Sequence, residues 1–176
     1  MSIAYLLSGS NMGDRREYLC NAEKAIAQSA GVIMETSPVY ESPAWGFEHP
    51  TAFLNQAMKL KTTLGAHALL KAILAIESKM GRQRSSDRYE ARNIDIDILF
   101  YDEIIMDEPD LVIPHPRLHL RRFALKPLSM IAGDYKHPFM GKTVDELLSC
   151  CPDDSELNMY DNLDYGTQME GKKDAV

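Results

Sequence analysis

Residues 94–102 read IDIDILFYD. Strand side chains alternate between two faces, so Ile94, Ile96 and Ile98 share one face and Asp95 and Asp97 the other, about 7 Å apart along the chain. The isoleucines anchor the strand in a core. Two like charges that close are costly unless a cation sits between them. Carboxylate oxygens are the hard ligands magnesium prefers, and magnesium keeps positions open for phosphate oxygens. A solvated strand with two ordinary acids would give the same D-x-D pattern. The preceding segment separates the two readings: Arg82, Arg84, Arg88 and Arg92 stand within eleven residues. Guanidinium groups fork onto phosphate oxygens and stay charged at any relevant pH. Paired acids beside clustered arginines suit a small polyanion with its metal ions.

Working outward, the chain interleaves helices and strands. Residues 3–8 (IAYLLS) read as a buried strand. A turn, GSNMGD, follows, and Asp14 with Glu17 forms a capping-box pattern for a helix whose face carries Leu19, Ala22, Ile26 and Ala30 up to Gly31. Residues 32–41 are β-prone and end at the loop SPAWGFEHP. Residues 52–62 alternate as a strand with Phe53, Asn55, Ala57 and Lys59 on one face, although Leu54, Met58 and Leu60 blur the parity. Residues 65–80 show helical spacing and stop at Gly81. After the 94–102 strand, DEIIMDEPDLVIP suggests a hairpin return ending at Pro114. A helix bearing Phe123, Leu125, Leu128 and Ile131 is interrupted or begun near Pro127, and Thr143 with Glu146 forms another capping-box pattern. A hairpin among interleaved helices favours an antiparallel or mixed α+β sheet over a doubly wound parallel one.

The chain's 176 residues suffice for one domain. Its 45% hydrophobic and 26% charged residues are the profile of a globular protein. No apolar run approaches the roughly 20 residues needed to span a bilayer. The opening residues carry no basic leader, and Cys20, Cys150 and Cys151 form no CxxC or zinc spacing, so a reduced, cytoplasmic setting is expected. From Asp153 onward seven acids stand against Lys172 and Lys173, so this segment holds −5 of the net −7. The body, at −2, argues against a nucleic-acid surface. The expected organisation is a domain over 1–152 followed by an acidic, disordered tail over 153–176.

Further candidates come from residue type and place. No GxxxxGK[ST] phosphate loop occurs, so side chains and metal must hold the phosphates. Glu77 shares a helix stripe with Ile73 and Met80. An inward acid needs a partner, either an arginine in a core ion pair or a ligand in a nucleotide or pterin site. Asn55 offers an amide to a heterocycle or to the fold. Phe53, Trp45, Tyr89 and Phe123 are rings that either stack on a flat ligand or pack in the core. His115, between Pro114 and Pro116, is placed to donate to a phosphate or to serve a turn. His49, His67, His119 and His137 show no ligand spacing.

Six motifs then carry a resemblance. These are G-S-N-x-G (9–13), S-P-x-Y-E-S-P-A-W-G (37–46), F-L-N (53–55), I-E-x-x-x-G-R-x-R (76–84), A-R-N-I-D-I-D-I-L (91–99) and I-P-H-P-R-L-x-x-R-x-F (113–123). In this order and spacing the sequence resembles 6-hydroxymethyl-7,8-dihydropterin pyrophosphokinases up to about residue 150. The resemblance implies a single-domain, ferredoxin-like antiparallel sheet flanked by helices in three α/β/α layers. It implies transfer of diphosphate from ATP to the hydroxymethyl group of the pterin in folate biosynthesis, with two magnesium ions on Asp95 and Asp97. Arg82 and Arg92 would join those acids in catalysis. Ser42, Pro43, Trp45, Phe53, Asn55 and Phe123 would bind pterin. Glu77, Arg84, Arg92, Ile98, His115 and Arg121 would serve ATP. The expected partners are these two substrates, with neither nucleic acid nor membrane, and a monomer is favoured. The sequence departs from the family at Tyr89-Glu90, where Trp-Gly is usual, at Leu74, usually polar, and at Pro116, an aromatic in some members. A nucleotidyltransferase on the same acid pair and a non-catalytic pterin- or nucleotide-binding module are the competing functions.

Overall fold

The structure, a computed structural model, describes residues 1–46, 49–81 and 92–160. It is a mixed α/β fold with an antiparallel sheet and, among the described residues, four α-helices. In chain order these are β1 (Ser2–Ser10), α1 (Arg15–Ser29), β2 (Val32–Thr36), β3 (Tyr40–Ser42), β4 (Phe53–Thr62), α2 (Ala66–Lys79), β5 (Asp95–Tyr101), β6 (Met106–Glu108), β7 (Leu111–Ile113), α3 (Arg122–Ala132), α4 (Val144–Ser149) and β8 (Asn158–Met159). The sheet runs β5-β1-β4-β3-β8, with β2 also on β4.

β1 lies between β4 and β5 and is buried from Ala4 to Ser10, which is why IAYLLS reads as a continuous apolar run. Both faces of the sheet are covered. Ala4, Leu6, Leu54, Met58, Leu60, Ile94, Ile96 and Ile98 join α1 and α2 in one apolar cluster. Tyr5, Leu7, Ala57, Leu99 and Phe100 join α3 and α4 in the other. The blurred parity of β4 therefore has a physical cause: helices cover both faces, Leu54, Met58 and Leu60 pack on one side and Ala57 on the other, and the alternation itself is regular.

The helix signals lie where expected. The Asp14 carboxylate accepts from the Glu17 N–H at 2.9 Å, and Leu19, Ala22 and Ile26 face the core. Gly31 follows α1 at φ +152°, where an added Cβ would lie 2.3 Å from the Lys61 carbonyl oxygen. The Thr143–Glu146 capping box is formed.

Two expectations need correcting. The hairpin after β5 does not return along β5. β6 and β7 pair with each other as a separate two-stranded sheet, because residues 102–105 turn the chain off the sheet edge. The antiparallel order instead comes from β1 pairing with β4 and β5. Pro127 does not begin or break its helix: α3 runs through it from Arg122, at the cost of the one hydrogen bond a proline cannot donate. The acidic segment after 152 starts on the sheet. Asp153 accepts from the Arg122 N–H at the start of α3 (3.0 Å), β8 pairs with β3, and the Tyr160 N–H donates to the Val39 carbonyl. Residues 161–176 lie outside the described residues.

Candidate active site

The alternation read from IDIDILFYD holds. Ile94, Ile96 and Ile98 are buried against α1 and α2, while Asp95 and Asp97 project together toward the α3 side. A bulge opposite Tyr5/Leu6 then puts Leu99 and Phe100 on that same side. β5 is an edge strand, and its outward polar groups find partners that are not strands. Glu77 Oε1, on α2, accepts from the Ile96 N–H at 2.8 Å. The His115 N–H donates to the Leu99 carbonyl at 3.0 Å, which draws the chain after β7 back to the acid pair.

Register places other residues in rows with the acids. Gly9 of β1 pairs with Asp95 on one side and with Asn55 on the other, and Asn55 pairs with Tyr40 of β3. Asp95 and Asn55 thus stand two strand spacings apart, about 10 Å, across a residue with no side chain. An added Cβ at Gly9 would lie 3.0 Å from Asn55 Oδ1. Asn55 Nδ2 donates to Ser42 Oγ at 2.9 Å, and Ser42 pairs with Phe53. Trp45 and Phe123 bring their ring centroids to 6.3 Å. The Arg121 guanidinium lies over both rings, at 5.2 Å and 5.6 Å, and Arg117 lies 6.0 Å from the Trp45 ring.

Each acid of the pair faces an arginine. Arg92 Nη1 forms a tight ion pair with Asp95 Oδ2, and Arg121 Nη1 lies 3.5 Å from Asp97 Oδ2. Burial, then the Asp95 charge, push the Asp97 pKa up to about 7, against Arg121 and Arg92. Burial, then Arg121 and Arg117, push His115 down to about 3, so its ring is neutral near pH 7. Its Nδ1 accepts from the Arg117 N–H at 3.2 Å. Its Nε2 lies 3.3 Å from Arg121 Nη1 and 3.9 Å from Asp97 Oδ2, so a donor faces each nitrogen of the ring.

Of the residues singled out from sequence, the structure brings together Ser42, Trp45, Phe53, Asn55, Arg92, Asp95, Asp97, His115, Arg121 and Phe123. Pro43 is exposed beside Ser42. Glu77 is 1% exposed and its Oε1 satisfies the β5 edge, while its charge also bears on Asp97. One residue is not brought to the cleft by its side chain. Ile98 is in the apolar cluster on the opposite face, because alternation turns it away from Asp97. Arg82, Arg84, Arg88, Tyr89 and Glu90 lie outside the described residues. Sequence reading missed Asn11, which is 1% exposed and exchanges two hydrogen bonds with the Arg92 backbone. Its signal was the G-S-N-x-G run, read only as a turn. Apart from this site, His67 Nε2 lies 3.1 Å from Glu108 and 3.7 Å from Asp110, tying the start of α2 to the β6–β7 hairpin.

Comparison with known proteins points the same way. Residues 5–133 match the model of the family described as 7,8-dihydro-6-hydroxymethylpterin-pyrophosphokinase. The 2-amino-4-hydroxy-6-hydroxymethyldihydropteridine pyrophosphokinase of Bacillus subtilis is 39% identical over 131 residues, 74% of this chain and 78% of that protein. That of Aquifex aeolicus is 39% identical over 146 residues, 83% and 90% of the two. The folic acid synthesis protein fol1 of Pneumocystis carinii is 37% identical over 140 residues, which is 80% of this chain and 19% of that longer protein. In fold, the HPPK-DHPS of Plasmodium falciparum superposes with a TM-score of 0.69 at 18% identity, covering 85% of this chain and 44% of that one. The chain thus spans less than half the length of that solved relative and about a fifth of the fol1 protein.

Proposed function

Since the chain belongs to the 7,8-dihydro-6-hydroxymethylpterin-pyrophosphokinase family, we propose that it transfers a diphosphate group from ATP to the hydroxymethyl group of 6-hydroxymethyl-7,8-dihydropterin and releases AMP. One observation carries this reading. Two carboxylates and an amide stand on one face of the sheet, Asp95 and Asp97 at one end and Asn55 at the other, with only Gly9 between Asp95 and Asn55. That arrangement suits a flat heterocycle read at one edge and phosphorylated at the other.

The donor set fits magnesium. Asp95 and Asp97 supply hard oxygens on one face, and each is held beside a cation in the fold. When bound there, two magnesium ions would neutralise phosphate charge and leave room for phosphate oxygens. The remaining work falls to the chain's own groups. Asn55, fixed by Ser42, presents its amide to the pterin edge. Phe123 and Phe53 stack on the ring, with Trp45 beside Phe123. Arg121 and Arg92 offer guanidinium donors to the triphosphate, and His115, packed between Arg117 and Arg121, offers its ring beside them. The pterin hydroxyl oxygen forms a bond to the β-phosphorus as the bond from that phosphorus to the oxygen of AMP breaks, and the hydroxyl proton is lost to solvent. No step needs a nucleophilic side chain.

The helix-covered sheet supports a ferredoxin-like, three-layer α/β/α reading. We place the domain at 1–152 and the acidic tail beyond it, the contacts of 153–160 being its junction, and we read the protein as a cytoplasmic monomer. No helix among the described residues is long and apolar enough to cross a membrane.

The test is an assay of purified protein with ATP, magnesium and the hydroxymethyl-dihydropterin. AMP should appear stoichiometrically with the pterin diphosphate. Release of inorganic diphosphate would indicate nucleotidyl transfer instead, and binding without turnover would indicate a non-catalytic module. Near-normal turnover in Asp97→Ala would refute the metal assignment.

A further inference from the structure

We propose that Asn11 is a positioning residue for this reaction, acting through Arg92; the inference rests on the reading of Arg92 given above. Asn11 is the residue after β1 and is 1% exposed. A buried amide is costly unless its donors and acceptor are used, and here they are used in one direction. The Arg92 N–H donates to Asn11 Oδ1 at 2.7 Å. The Asn11 N–H donates to the Arg92 carbonyl at 3.1 Å. Asn11 Nδ2 faces His49 Nδ1 at 3.3 Å. That ring nitrogen also lies 3.1 Å from the Thr51 nitrogen and 3.2 Å from the Thr51 carbonyl oxygen; the Arg92 N–H on Oδ1 is what fixes which way the Asn11 amide is turned.

The geometry resembles one more rung of the β1–β5 ladder. The last regular pair of that ladder is Gly9 with Asp95. β5 begins only at Asp95, and Asn11, just past the end of β1, replaces the missing pairing by gripping the Arg92 backbone through its N–H and its carbonyl. Arg92 is three residues before Asp95 and pairs with it. Holding the backbone of Arg92 therefore sets where its guanidinium starts from, next to the acid pair. His49 belongs to the segment between β3 and β4 that also carries Trp45. Through one side chain, the pterin-side segment and the phosphate-side arginine share an anchor.

A double-mutant cycle tests this. Asn11→Ala, Arg92→Ala and the double variant are compared for kcat/KM and for calorimetric affinity for magnesium α,β-methylene-ATP, with melting curves as a separate measure of the fold. A displaced reacting group typically costs about 100-fold, so Asn11→Ala should lower kcat/KM by roughly 10- to 100-fold in the wild-type background. In the Arg92→Ala background the same change should cost less than about 3-fold, because the group it positions is gone. A purely structural role would cost the same factor in both backgrounds. Asn11→Asp, which keeps the acceptor for the Arg92 N–H, should recover most of the loss. If Asn11→Ala does not fold, Asn11→Ser, whose shorter side chain cannot span to Arg92, carries the same cycle. Equal losses in both backgrounds, or no loss in the first, would overturn the positioning role alone. Wild-type turnover by Arg92→Ala would overturn the reading of Arg92 and this inference with it.

Discussion

Asp97→Asn should stabilise the metal-free protein above neutrality while abolishing turnover. Burial and the Asp95 charge raise the Asp97 pKa from 3.8 to about 7. In the unfolded chain the carboxyl loses its proton near the lower value, and in the fold near the higher. Between them the folded state binds more protons, so stability falls as pH rises through that window and stays low above it. For a dry group a rise of this size corresponds to about 4 kcal/mol. The Asp97 side chain is 32% exposed, and solvent screening reduces this to about 1–2 kcal/mol. Asparagine keeps the shape without the charge. Urea unfolding of both proteins in EDTA, near pH 5 and near pH 8, should show the stability difference growing in the variant's favour by about 1 kcal/mol. His115 acts in the opposite sense. Held down near 3 by burial, Arg121 and Arg117, it adds stability as pH rises from its own low value toward 6.5. Being present in both proteins, it cancels in the difference, which is why the difference is measured rather than one profile. A difference that does not change with pH, or a variant less stable than wild type near pH 8, would refute the electrostatic account of the acid pair.

Three further outcomes follow from named contacts. Gly9→Ala should raise KM for the pterin several-fold, with kcat for bound substrate less affected, because its Cβ would press on Asn55 Oδ1 at 3.0 Å; steady-state kinetics with each substrate varied checks this. Glu77→Ala should destabilise the fold by about 1–3 kcal/mol, read from urea midpoints, because it leaves the Ile96 N–H without its Oε1 acceptor at the buried β5 edge. Gly31→Ala should cost more than about 2 kcal/mol in the same assay, since φ +152° and a 2.3 Å approach to the Lys61 carbonyl leave no room for a methyl group; unchanged stability would show that the α1–β2 turn can relax.

The sequence carried the local elements well, because each has a signal within a few residues. Asp14 and Thr143 cap their helices as read, and the DID alternation put the acids on one face. What it did not carry depends on contacts distant in the chain. Glu77 meets Ile96 across 19 positions and Asp153 meets Arg122 across 31, so no local pattern shows that the first supports a strand edge or that the second serves a helix start. The hairpin after β5 was legible as a hairpin, but which strand it pairs with is not a local property. Leu99 and Phe100 could not be sided from alternation either, because the bulge against β1 interrupts the period.

Gly9 shows how register turns a turn residue into part of a site. Read along the chain, it opens a GSNMGD turn and asks only for a small residue. In the sheet it is still inside β1, and its two neighbours across the ladder are Asp95 and Asn55. Odd-numbered positions of β1 face α3: Tyr5 and Leu7 fill that side with ring and methyl groups. Continuing the pattern at position 9 would fill the space between the carboxylate and the amide as well. Glycine ends the apolar layer there and leaves a bare backbone floor about 10 Å across, two strand spacings. Asn55 and Asp95 would be poor neighbours in direct contact, since an amide that meets a carboxylate would satisfy it and close the gap. Held apart by one strand, they stand at opposite ends of a gap that a third body could span. The same strand that packs the core at its start therefore leaves an open floor between two polar groups at its end, and the change takes a single missing side chain.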